Sequence, residues 1–208
     1  QVTSSPDSES RPRWSPDGKF LAFVSSRQDS KAAQVWLLNR SGGEALRLTD
    51  IKGGVTDYAW APDSRRLALV VADPDPAVPA EDDKADDTGK GAAAKTPKPI
   101  VVDRYAFKSD SGGYLRGERS HLYLFDLTTK KSEILTPGTV DESSPAWSPD
   151  GRQIAFIRRH RDEGDVDKLP NADVFVIDAR PGASPRRLTT TTAEESGRLA
   201  WSPDGQFI

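Results

Sequence analysis

Apolar residues come in short runs parted by polar turns, and the same succession of runs recurs along the chain. The first runs of three units lie at 20–24, 67–71 and 154–157. Second runs follow at 35–38, 121–125 and 174–177, and shorter pieces at 46–49, 133–136 and 187–189 close each unit. These runs are apolar at consecutive rather than alternate positions, which predicts strands in sheets buried on both faces.

A turn motif marks the repeats. Trp14-Ser15-Pro16-Asp17-Gly18 returns as Trp60-Ala61-Pro62-Asp63-Ser64, Trp147-Ser148-Pro149-Asp150-Gly151 and Trp201-Ser202-Pro203-Asp204-Gly205, at spacings of 46, 87 and 54 residues. Ser first, Pro second and Gly fourth are the residues a type I turn prefers, so the motif ends one strand and begins the next. The Trp before it is expected to wedge between neighbouring sheets. Each unit therefore reads strand, turn, strand, loop, strand, turn, strand. The fold class this predicts is all-β: a partial β-propeller of four-stranded antiparallel blades, with about three complete and a fourth begun. Residues 1–208 are expected to form part of one propeller domain, with repeats starting near Trp14, Trp60, Trp147 and Trp201.

The 87-residue spacing is one blade carrying an insertion of about forty residues relative to the 46-residue period. Its first part, 73–98, has four prolines, six alanines, seven acids and four lysines but no aromatic, and is expected to be a mobile loop. Its second part, 99–120, carries Ile100-Val101-Val102 and Tyr105-Ala106-Phe107 and is expected to be ordered as a strand or hairpin. A smaller extension at 158–172 occupies the same place in the next blade. Both join second to third strands, so they emerge on the face shared with the connections between blades, where binding is expected.

Composition narrows the chemistry. Lys plus Arg number 29 against 32 for Asp plus Glu, a net charge of −3, which argues against a nucleic-acid partner. The longest apolar run, 67–72, is too short for a membrane span. No Cys occurs, so disulfides, thiolate nucleophiles and Cys-ligated zinc are excluded for these residues. Three blades and a fourth begun cannot close a ring. The expectation is that more chain follows in the native protein, with association into a homo-oligomer as the alternative.

The repeats resemble those of the Tol-system periplasmic propeller and of the propeller in the prolyl oligopeptidase family. Pro99-Ile100-Val101-Val102-Asp103-Arg104-Tyr105-Ala106-Phe107-Lys108, Gly113-Tyr114-Leu115 and His121-Leu122-Tyr123-Leu124 resemble the acylaminoacyl-peptidase-like branch of that peptidase family. The resemblance implies a seven-bladed propeller that covers a C-terminal α/β-hydrolase domain bearing a Ser-Asp-His triad, and that screens peptides on their way to the nucleophile. It implies a peptide substrate, the hydrolase domain as a partner, no cofactor and a cytoplasmic location, with a periplasmic or secreted one if a leader was removed. The alternative is a non-enzymatic protein-binding propeller like that of the Tol system.

No catalytic residue is expected within these 208 positions. Gly-x-Ser-x-Gly is absent, and Asp110-Ser111-Gly112-Gly113 reads as a glycine turn. His121 reads as a packing or surface residue and His160, among arginines, as solvated. Asp162-Glu163-Gly164-Asp165-Val166-Asp167 lacks the order of a calcium loop and reads as a solvated acidic loop, so no metal site is expected. Arg104, Arg116, Arg119, Arg158 and Arg159, together with Arg161, belong to the two long connections. They are the candidates for substrate binding, because a guanidinium can hold a peptide carboxylate in two-point contact. The competing reading is ordinary surface arginines offsetting nearby acids.

Overall fold

The structure, a computed structural model, describes residues 7–27, 32–73, 108–109, 113–114, 119–160, 171–190 and 195–208. The first sheet is a meander of β1 (Glu9–Trp14), β2 (Phe20–Ser25), β3 (Gln34–Asn39) and β4 (Leu46–Arg47). The second uses β5 (Val55–Trp60) and β6 (Arg66–Ala72); a separate hairpin of β7 (Lys108–Ser109) and β8 (Gly113–Tyr114) then intervenes. The sheet resumes with β9 (Ser120–Asp126) and β10 (Ser132–Ile134). The third comprises β11 (Glu142–Trp147), β12 (Gln153–His160), β13 (Asn171–Asp178) and β14 (Arg186–Arg187). All pairings are antiparallel, and no helix occurs among the described residues. This is the predicted propeller architecture, with one four-stranded blade for each of the first three repeats.

The second blade explains why its strands are apolar at successive positions. Leu67, Leu69 and Val71 of β6 pack with Ala22, Val24 and Val35 of the first blade. Ala68 and Val70, on the opposite face, pack with Trp147, Ile154 and Phe156 of the third. A strand covered on both faces has no solvent side to mark with polar residues. The large insertion joins β6 to β9, so it leaves the blade between its second and third strands, as the spacing predicted. Residues 74–98, and most of 99–120, lie outside the described residues; β7–β8 falls within the second part.

The motif turns form as their residues dictate. The Gly18 N–H donates to the Ser15 carbonyl at 2.8 Å, and the Ser15 N–H to the Phe20 carbonyl at 2.8 Å. Asp17 accepts from the Ser15 hydroxyl at 2.7 Å, and that hydroxyl accepts from the Phe20 N–H at 3.0 Å. Ser148-Pro149-Asp150-Gly151 repeats the same bonds. The fourth position is left-handed in every copy, including Ser64 at φ 56° where the others have Gly. That conformation costs a serine about 1 kcal/mol or more. Here the Ser64 hydroxyl accepts the Asp17 N–H of the neighbouring blade at 3.0 Å, a bond glycine could not make.

The tryptophans do more than wedge. Trp60 Nε1 donates to the Arg13 carbonyl at 3.4 Å, Trp147 Nε1 to the Ala59 carbonyl at 3.1 Å and Trp201 Nε1 to the Ala146 carbonyl at 3.0 Å. Each acceptor is the residue just before the preceding motif's Trp, so every indole locks its blade in register with the one before. Trp14 differs: it is 55% exposed. The fourth repeat has its turn, closed by the Ser202 N–H on the Phe207 carbonyl at 2.9 Å, without a strand ladder among its described residues.

Candidate functional site

Each blade ends in Leu-Thr, and the threonine ties its fourth strand to its third. The Oγ1 atoms of Thr49, Thr136 and Thr189 accept the N–H groups of Val35, Leu122 and Val174 at 2.9, 2.8 and 3.0 Å. In the outer two blades that hydroxyl donates to the residue just before the bonded N–H: Gln34 at 2.7 Å and Asp173 at 2.8 Å. The second blade has His121 in this place, and Thr136 instead donates to Glu142 of the third blade, at 3.0 Å.

Glu142 is the centre of the arrangement. Its side chain is fully buried, and it opens β11 where β5 has the apolar Val55. His121 Nδ1 lies 3.0 Å from Oε2, and Arg158 Nε donates to Oε1 at 2.9 Å. Against an ionised carboxylate, which only accepts, Nδ1 is the donor of this pair. The Arg158 guanidinium also lies over the stacked rings of Phe156 and Phe175, at 5.5 and 5.3 Å. Burial pushes the Glu142 carboxyl above its ordinary value of 4.5, against the opposing pull of Arg158, His121 and Thr136.

Beside this group the two stems of the insertion are clamped. The Asp73 N–H donates to the Arg119 carbonyl at 2.7 Å, and Asp73 Oδ2 accepts the Arg119 N–H at 3.3 Å and lies 3.5 Å from His121 Nε2. Arg119 Nη1 and the Ser120 N–H donate to the two oxygens of Asp141 at 3.1 and 3.0 Å. Asp141 sits in the connection between blades, so the described stems of the insertion lie against that interblade segment. A cleft of about 320 Å³ opens there, lined by Asp141, Ser143, Ser144, Arg159, Glu195 and Ser196 among others.

Of the predicted arginines, Arg119 and Arg158 are drawn into this network and Arg159 lines the cleft, its N–H donating to the Asp141 carbonyl at 2.9 Å. Arg104, Arg116 and Arg161 lie outside the described residues, as do Ser111 and residues 162–167. His121 is not a simple packing or surface group: it is 3% exposed, with each ring nitrogen facing a carboxylate. Sequence reasoning passed over Glu142, although aligning the repeats on their tryptophans exposes it. The position five residues before Trp is Glu9, Val55 and Glu142 in successive blades, an acid at the start of an otherwise buried sheet. Chemically the network is a set of charged groups fixed by one another beside a polar cleft.

No family model matches the chain. The uncharacterized peptidase YuxL of Bacillus subtilis is 34% identical over 166 residues, which make up 80% of this chain and 24% of that protein. The chain thus spans about a quarter of the length of this relative. Among solved structures, TolB from Acinetobacter baumannii superposes with a TM-score of 0.59 at 21% identity, over 99% of this chain and 38% of its own. Acylaminoacyl peptidase from Pyrococcus horikoshii superposes with a TM-score of 0.57 at 22% identity, over 87% of this chain and 25% of its own. At those identities the two structures attest the propeller fold. The peptidase relatives support more: a prolyl oligopeptidase-family peptidase, with this chain covering a β-propeller portion.

Proposed function

We propose that this chain is the substrate-gating, non-catalytic propeller segment of a serine peptidase of the acylaminoacyl-peptidase or oligopeptidase type. The peptide bond is cleaved elsewhere, by acyl transfer to a serine of an α/β-hydrolase domain and then to water. The propeller's part is to admit or refuse peptides. The observation that carries this reading is the clamp on the insertion stems: Asp73, Arg119 and Asp141 hold both ends of a long connection against one face, beside a polar cleft. A gate needs a fixed hinge line, and these bonds supply one.

Within this reading Arg119 and Arg158 are positioning residues, each committed to a carboxylate. Arg159, on the cleft wall, is the described candidate for a peptide carboxylate, and Arg104 and Arg116 are candidates on the insertion itself. The test uses the longer peptidase that carries this chain. Asp73 and Arg119 are already bonded to each other, so residues 74–118 can be replaced by a short Gly-Ser link without moving either stem. Loss of the gate is expected to raise hydrolysis of long peptides relative to short ones. An unchanged length preference would overturn gating, and unchanged peptide kinetics on Arg159→Ala would remove the substrate role of Arg159. If the longer protein cleaves no peptide, the Tol-like binding propeller becomes the better reading; the likeness to TolB over nearly all of this chain is its support.

A further inference from the structure

One cavity draws on every repeat. It measures about 320 Å³, and its wall includes Arg13, Asp57, Ser144, Pro145, Ala146 and Arg198. These residues come from β1, β5, β11 and the matching segment of the fourth repeat, the stretch that ends in each motif's Trp. Blades of a propeller stand around a central channel, and only their innermost strands converge on it. The cavity therefore lies on that channel, and Ser144 separates it from the cleft beside the insertion stems by lining both. The position three residues before Trp is Arg11, Asp57, Ser144 and Arg198 in turn. In β1 and β11 this position falls in a bulge, where pairing skips between Ser10 and Arg13 and between Ser143 and Ala146. Arg11 and Ser144 have left-handed φ values of 57° and 54°, and proline follows each, where no ladder N–H is needed. A bulge re-aims its side chain. Arg11 Nη1 donates to Asp57 Oδ2 at 3.4 Å and the Ser144 hydroxyl to the Gly197 carbonyl at 2.7 Å, so the position links one repeat to the next.

The charges on this wall do not balance. In the four six-residue segments that end in Trp, the acids are Glu9, Asp57 and Glu142, and the bases are Arg11, Arg13 and Arg198. Glu9 and Glu142 are taken by Arg27 and Arg158, at 3.0 and 2.9 Å. That leaves the buried Asp57 facing both Arg11, at 3.4 Å, and Arg13, at 2.9 Å. Arg13 is fixed further by the ring of Tyr58, 5.0 Å away, and the Tyr58 hydroxyl donates to the Arg11 carbonyl at 2.9 Å. The Arg198 side chain is exposed and makes no ion pair among the described residues. One carboxylate against three guanidiniums leaves two positive charges in excess, in a chain whose net charge is −3. A concave wall of one sign raises the local concentration of ions of the other sign.

We propose that this stretch of the channel wall is a carboxylate-binding site, which favours peptides that carry an acidic side chain or a free C-terminal carboxylate. Arg198 makes the two-point contact, because its planar guanidinium is uncommitted and matches a carboxylate in shape. Arg11 and Arg13 supply the surrounding positive charge, and Asp57 holds both in place. The site is separate from Arg159, which lines the other opening. It deepens the gating reading by naming the class of peptide, and it rests on that reading only in taking a peptide as the ligand.

The test measures binding rather than turnover. The longer protein that carries this chain is treated with a fluorophosphonate, which blocks an active serine, and titrated into fluorescein-labelled peptides while anisotropy is recorded. Four peptides share one sequence: central Glu with an amidated end, central Gln with a free carboxylate, central Gln amidated and central Lys amidated. The expected order is either carboxylate peptide ahead of Gln amidated, and that ahead of Lys. The gap between a carboxylate peptide and Gln amidated is about threefold to tenfold in Kd, shrinking as salt is raised. Which of the two carboxylate peptides gains tells an acidic side chain from a chain end. Arg198→Gln should abolish the gap, Arg198→Lys should retain part of it, and Arg180→Gln, in the β13–β14 turn at the outer edge, should leave it whole. Equal Kd values for the carboxylate and amide peptides overturn the proposal, as does a gap that survives Arg198→Gln. Equal Kd values with the length preference of hydrolysis intact overturn this site alone. A carboxylate gap with a length preference unchanged on replacing residues 74–118 overturns gating and leaves the site standing.

Discussion

Trp147 Nε1 donates to the carbonyl of Ala59 across 88 positions of sequence, and through that bond the third blade takes its register from the second. The indole is 8% exposed, and the Arg66 guanidinium lies 4.9 Å from its ring while Arg66 Nη2 donates to the Gly151 carbonyl at 3.0 Å. Trp147→Phe removes the donor, leaves the part-buried Ala59 carbonyl without it and shrinks the packed ring. The expected loss is about 1–3 kcal/mol, read as a lower denaturant midpoint at unchanged m-value. Trp14→Phe in the same chain has no such bond to lose and is expected to be near neutral, which makes it the control.

Glu142→Ala is expected to be among the most damaging substitutions on the cleft face. It leaves Arg158 without its carboxylate and frees both His121 and the Thr136 hydroxyl from their shared acceptor. Breaking a buried pair by removing one partner costs about 3–5 kcal/mol. Adding Arg158→Ala should cost less than the sum of the two single changes, because the second removes the charge the first stranded. Additive losses in chemical unfolding would show that the two residues are not coupled.

The turn aspartates give the chain an acid sensitivity whose sign follows from their bonds. The Ser148 hydroxyl, and then the Arg152 N–H, hold the Asp150 carboxyl below its ordinary value of 3.8. Asp17, with Ser15 first and then Lys19, and Asp204, with Ser202 first and then Gln206, are lowered in the same way. A carboxylate lowered on folding stabilises above its unfolded value, and that stability is lost as pH falls through the lower folded value. Asp150→Asn is therefore expected to lower the thermal midpoint at neutral pH, with the gap from the parent closing in acid. Glu142 acts in the opposite sense: raised on folding, it binds its proton more readily in the folded state, so its contribution falls as pH rises above 4.5 through the raised value. A gap that does not depend on pH would mean the Asp150 carboxylate contributes nothing as a charge.

Gly53 separates two costs that a glycine substitution can carry. Its φ is +86°, and a Cβ there would stand 1.9 Å from the Ala72 carbonyl oxygen, beside the stem of the insertion. Gly42 has a φ of +100°, and a Cβ on it would meet nothing within 4 Å. Gly42→Ala therefore bears backbone strain alone, whereas Gly53→Ala bears strain and a backbone clash. The second should cost about 1–3 kcal/mol more than the first by thermal unfolding.

The propeller was legible because its information is local and repeated. A Trp-Ser-Pro-Asp-Gly turn specifies its own geometry through its hydroxyl, carboxylate and left-handed glycine, and four copies announce the period. Apolar runs without alternation announced sheets stacked face to face, and β6, buried against both neighbours, is what they describe. The extra length between Trp60 and Trp147 placed the insertion between second and third strands, where the structure has it. Arg119, Arg158 and Arg159 could be named from the same count of loop lengths, but not what they touch.

What only the tertiary structure decided are relationships between groups far apart in the chain. The indole-to-carbonyl locks join residues 47 to 88 positions apart, and nothing in the local sequence states that Trp60 will find Arg13 or that Trp147 will find Ala59. His121 looked inert because its role depends on Glu142 of the next blade and on Asp73 across the insertion. A buried charge is stable only where packing delivers its partners, and packing is a property of the assembled blades. The sequence by itself determined the strands, the turns and the period; the stacking of one blade on the next decided which polar groups meet, and so where the cleft and its fixed charges lie.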